Sequence, residues 1–161
     1  MADIDSQGRH IRTERALARL PRAGAFYSYH HDRGSLYKGP GIETIKQAAG
    51  FFGVSLSAAA IRYSQVGNFP VAVIMAHKGK VLWSSISELF PYQYIGKNYP
   101  VNGYSEADAF FARKEIDLSP HSVLEDSWFQ NDSNFRKERH PLIEQCLPMP
   151  GYNSVLTVVW L

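Results

Sequence analysis

Cysteine is nearly missing from this 161-residue chain, where Cys146 stands alone. A single thiol excludes an internal disulfide framework and any zinc site built on paired cysteines. The expected setting is a reducing cytoplasm. No apolar run reaches the roughly 18 residues that a membrane-spanning helix needs, so no membrane partner is expected. The opening MADIDSQGRH carries acids where a secretory signal needs a basic and then an apolar stretch. Neither G-x-x-x-x-G-K-[ST] nor G-x-G-x-x-G occurs, which removes the common phosphate-cradling loops. The six histidines are His10, His30, His31, His77, His121 and His140, and none falls in H-E-x-x-H, the spacing that sets two imidazoles on one helical face around zinc. Neither a metal site nor a cofactor is expected. An excess of one charge is lacking as well: 17 Lys and Arg stand against 15 Asp and Glu. The surplus sits in the front, with 9 bases to 5 acids over residues 1–70 and 8 to 10 over residues 71–161. That imbalance alone does not indicate nucleic-acid binding, which needs clustered positive charge.

What is present is an ordinary globular composition, 45% hydrophobic and 20% charged, and the patterning predicts an α+β fold in three parts. Residues 1–40 read as an N-terminal arm. HIRTERALARLPR forms a short basic helix with Arg12, Arg15 and Arg19 on one side, followed by a Gly- and Tyr-rich loop with a short strand at Ala25–Tyr29. His30, His31 and Asp32 lie in that loop and read as surface residues.

Residues 41–67 read as a helix-turn-helix-like hairpin. Ile42, Ile45, Ala49 and Phe52 recur at helical spacing, Gly53 breaks the helix, and Ser55 is placed to cap a second helix, LSAAAIRYSQV. The turn at Gly53 calls for positive φ. A DNA-reading helix would present Ser55, Ser57 and Arg62 to base edges. The Ala58-Ala59-Ala60 run suits close packing better, so DNA is the alternative partner and not the leading one.

From residue 69 to 161 the period changes to two. Val71–Ala76 and Lys80–Ser85 predict a hairpin turning at Lys78-Gly79, and the near-continuous apolar first strand predicts a central place covered on both faces. Phe90–Ile95 reads as a short strand or a covering loop. EADAFFARKE reads as a helix capped by Ser105, HSVLEDSWFQN as a strand, and LIEQCLPMPG as ambiguous because Pro148 and Pro150 interrupt it. SVLTVVWL predicts a strand tied into the sheet.

Aromatic residues are the conspicuous surplus. Trp83, Tyr92, Tyr94, Tyr104 and Trp128 are the candidate ligand-binding residues, lining a cavity over the sheet. A nucleophilic role for Cys146 would need a histidine and an electropositive pocket, and its neighbours suggest neither, so it reads as a small buried hydrophobe.

Taken together, AAGFFGVSLSAAAIRYSQVGNFPVAVIMAHKGKVLWS, SELFPY, SWF at Ser127–Phe129 and EQCLPMPGYNSVLTVVWL resemble the C-terminal portion of the ImmA/IrrE family metallo-endopeptidases. The resemblance runs from about Ile42 to Leu161. It implies a helix-turn-helix-like segment leading into a GAF-like sensor domain. In that family a zinc-peptidase domain carrying H-E-x-x-H precedes these parts and cleaves a repressor, in stress responses or the induction of mobile elements. This chain has no such motif and too few residues before Gly41 for that domain, so no catalytic residue is carried over. The expectation is a fragment of such a peptidase or a free-standing relative without it. Either way it acts as a non-catalytic regulatory module that binds a small ligand or a protein partner, such as a repressor or a peptidase domain.

Overall fold

A computed structural model describes residues 40–66 and 69–161. The basic helix and strand expected before residue 40, with His10, His30 and His31, lie outside the described residues.

Helix α1 spans Ile42–Phe52 and buries Ile42, Ile45 and Ala48. Its N-cap is Gly41, which offers no side chain. The orphan N–H of Ile42 is instead met by Gln145 Oε1, at 3.0 Å, reaching up from the sheet. The helix ends at Gly53 in the left-handed region, φ 63°. Val54 N–H donates to Ala49 O and Gly53 N–H to Gly50 O, the paired bonds that close a Schellman turn. Helix α2 spans Leu56–Val66, and Ser55 Oγ accepts from Ala58 N–H at its start. Both expected helices and the positive φ between them are therefore present.

Five antiparallel strands follow: β1 Val71–His77, β2 Lys80–Ile86, β3 His121–Val123, β4 Leu142–Met149 and β5 Ser154–Trp160. Their order is β2-β1-β5-β4-β3. Lys78 and Gly79, both at positive φ, make the tight β1–β2 turn, whose twist matches that of the flanking strands. β1 and β5 lie inside the sheet and bury nearly every residue on both faces, as the apolar run of β1 predicts. β4 accommodates Pro148 because β3 pairs only with Leu142–Glu144; beyond them that edge makes no ladder among the described residues.

One sheet face carries Val71, Val73, Met75, Leu156 and Val158 and packs against Ile45, Ala59, Ala60 and Tyr63 of the helical hairpin. Ser64 Oγ on α2 bonds Ser85 Oγ on β2 at 2.7 Å. The opposite face carries Ala72, Ile74, Ala76, Val155 and Val159 under an irregular layer holding Phe90, Tyr92, Val101, Trp128 and Phe129. Helix α3, Glu106–Phe111, belongs to this layer and is capped as expected by Ser105 Oγ. It is shorter than the segment EADAFFARKE suggests.

One expectation is corrected. HSVLEDSWFQN is not one strand: β3 takes only His121–Val123, and Glu125–Ser127 turns in a 3-10 helix, which lets Trp128 and Phe129 drop into the core. Of the two readings of Phe90–Ile95, short strand or covering loop, the covering loop is the one present. The architecture is α+β in three layers, and among the described residues no helix is long and apolar enough to cross a membrane.

Candidate functional site

The irregular layer is held by three buried carboxylates. Glu144, fully buried on β4, accepts from Ser105 Oγ (2.8 Å) and Glu106 N–H (3.1 Å), from the Trp128 indole N–H (2.9 Å) and from the Cys146 thiol (3.1 Å). Four donors compensate the desolvation that a lone buried carboxylate would not survive. Burial, and secondarily the Glu144 charge, pushes the Cys146 thiol well up from its ordinary value. It stays protonated and donates. Tyr92, stacked on Phe129 at 4.7 Å, donates its hydroxyl to Glu125 Oε2 and Glu138 O. Burial first, then the bond to Glu125, raises its phenol pKa far above the ordinary value. Asp132 accepts from the backbone N–H groups of Gln93, Tyr94 and Asn134 at 2.6–2.7 Å, pinning the loop after β2 to the one after Trp128.

Between these anchors a cleft of about 150 Å³ opens beside the start of β2. One wall is the segment Gly96–Val101, folded back on the strand by Asn98 N–H to Val81 O, Val81 N–H to Tyr99 O and Val101 N–H to Gly79 O. The Tyr99 ring lies directly over Gly96, where any Cβ would fall inside it. The other wall is the 3-10 turn with Asp126 and Ser127, continued by Trp128. Asn102 Nδ2 and Gln130 Nε2 both donate to Asp126 O, at 3.0 and 2.6 Å. Ser127, only 3% exposed, has no hydrogen-bond partner for its Oγ. Leaving a buried hydroxyl unpaired costs about 1–3 kcal/mol, so this atom calls for an explanation.

A larger hollow of about 280 Å³ lies beside the same turn, next to Arg136, Arg139 and His140. Arg136 reaches Asp126 Oδ2 only at 3.8 Å and is 72% exposed, so that pair contributes little.

The five aromatic candidates do not gather in one place. Trp128 lines the cleft. Tyr92 is spent in the core, and Tyr94 and Tyr104 are exposed on loops. Trp83 packs against the helical hairpin on the opposite sheet face. A β-bulge is the reason: Met75 pairs with Trp83 but Ala76 with Val81, so Leu82 is the extra residue and the alternation reverses past it. Of the DNA-facing candidates, Ser55 caps α2, and Ser57 and Arg62 are half-buried. Ala58, Ala59, Ala60, Tyr63 and Ser64 point inward.

His77 Nδ1 meets Ser154 Oγ at 2.9 Å, and His121 Nδ1 meets Ser119 O at 3.0 Å. Among the described residues no three His, Cys, Asp or Glu side chains are grouped to hold a metal ion. Sequence reading missed Ser127 and Asn102 in the cleft and Glu144 beneath it. Only the nearness of Ser127 to Trp128 hinted at any of them. Compared with protein-family models and with curated proteins, the chain matches none.

Proposed function

We propose that the chain is a non-catalytic sensory module whose cleft takes a small ligand and whose helical hairpin carries the resulting state onward. In this reading the sheet and its irregular layer are a GAF-like sensor and α1–α2 a helix-turn-helix-like output. That is the arrangement implied by the resemblance to the C-terminal portion of ImmA/IrrE endopeptidases. The observation that carries it is the buried, unpartnered Ser127 hydroxyl in the wall of a cleft. A polar group kept out of water without a partner is what a site that hydrogen-bonds a guest requires.

The route outward is short. Trp128 joins the cleft to Glu144 on β4, Gln145 beside it holds the start of α1, and β1 and β5 are packed between the two layers. A ligand shifts such an assembly only as far as its affinity differs between two arrangements.

Thermal-shift screening of the full chain against small metabolites and nucleotides tests the reading. A concentration-dependent rise in Tm that Ser127→Ala removes supports it. No stabilisation by any class overturns it.

A further inference from the structure

Resting on the sensory reading above, we propose that the cleft takes a single uncharged aromatic ring bearing an amide-like group, which hydrogen-bonds the Ser127 hydroxyl, and that it rejects anions.

Size, surface and charge each narrow the guest. The volume of about 150 Å³ is that of a cavity known to hold one benzene-sized ring. Tyr99 and Trp128 supply aromatic surface, and Ile95 and Val101 add aliphatic surface beside them, so a flat π-system fits better than a flexible polar chain.

Part of the polar inventory is committed. The Trp128 indole N–H is held by Glu144, and the side-chain amides of Asn102 and Gln130 by the Asp126 carbonyl. Of the other polar lining side chains, Tyr99 and Asn131 are exposed to water, and the buried, unpartnered polar atom is Ser127 Oγ. A hydroxyl both donates and accepts, which matches a primary amide, itself donor and acceptor.

Among the described residues no lysine, arginine or histidine lines the cleft, whereas Asp126 does. Arg136 stands behind Asp126 at 3.8 Å, solvent-exposed and facing the neighbouring hollow. An anionic guest would therefore lose water with no cationic side chain among the described lining residues to receive it.

Benzamide and benzoate share ring and size and differ in charge, so an NMR titration of the ¹⁵N-labelled full chain with each reads the inference directly. Benzamide is expected to shift the Trp128 indole N–H and the Ser127 amide, with benzoate at least tenfold weaker. Ser127→Ala should weaken benzamide at least fivefold while its Tm stays unchanged or rises. Benzoate binding as well as benzamide overturns the charge argument, and benzamide binding that ignores Ser127→Ala overturns the anchor. If neither ring compound moves these signals but another small molecule does, the ring class is wrong and the sensory reading stands. If no small molecule moves them, both fall together.

Discussion

Trp128 and Glu144 meet across the buried layer, indole Nε1 to carboxylate Oε2 at 2.9 Å, and the same carboxylate caps α3 through its other oxygen. One residue on β4 thus fixes both the ring beside the cleft and the helix next to it. Glu144→Gln keeps the volume but turns an NH₂ toward donors, which leaves at least one of them unmet. The expected loss is about 1–3 kcal/mol, read as a lower urea midpoint with an unchanged m-value. Glu144→Ala strands the Trp128, Ser105 and Glu106 donors together and should cost more. A variant as stable as the parent would show that these hydrogen bonds add nothing to stability.

Alkaline pH should destabilise the fold in two steps. Cys146 and Tyr92 both have pKa values raised in the folded chain, from ordinary values of 9.0 and 10.0. Their contribution is complete below those values. As pH climbs past them, the unfolded chain releases protons that the folded chain still holds, so stability falls. The slope approaches about 1.4 kcal/mol per pH unit for each group. Cys146→Ser keeps a hydroxyl donor toward Glu144 and Thr157 but does not titrate in this range. It should flatten the decline between pH 9 and 10 in a denaturation series. The native thiol should also resist alkylation at pH 8 until the chain is unfolded.

Gly53 sits at φ 63° with open space where a Cβ would stand. Gly53→Ala therefore tests backbone conformation without a clash, and should cost about 1 kcal/mol of unfolding free energy. Gly53→Asn should cost less, because asparagine tolerates the left-handed region. Equal values for the two would point to a packing cause at the hairpin turn.

These elements were legible for a physical reason. α1, α2, β1 and β5 declare themselves through local periodicity, and Gly53, Ser55 and Ser105 through the backbone geometry each is suited to. The irregular layer was not legible, because its order comes from carboxylates far apart in sequence. Asp132 bonds Gln93 and Tyr94, and Glu144 bonds Ser105, pairings that no window of residues displays. The misplacement of Trp83 has a sharper cause. Alternation from Val81 puts Trp83 on the same face as Val81, and the single extra residue at Leu82 sends it to the other. The cleft escaped because Ser127 was read within a strand, where its hydroxyl would have had no special place.

Gly96 and Tyr99 offer the most direct handle on the cleft wall. No left-handed φ is required at Gly96, and the nearest obstacle to a side chain there is the Tyr99 ring. Gly96→Ala should displace that ring, which is half-exposed and free to swing outward, and so open the cleft. Taken singly the variant is expected to lose stability. In a Tyr99→Ala background the obstacle is gone, and the same change should be neutral or stabilising by about 0.4–1 kcal/mol, since alanine restricts the unfolded chain more than glycine does. The double-mutant cycle over chemical denaturation therefore has a definite sign, with a coupling of at least about 0.5 kcal/mol between the two sites. Additive behaviour would mean that Tyr99 does not rest on Gly96 in solution, and that this wall of the cleft is not built as described.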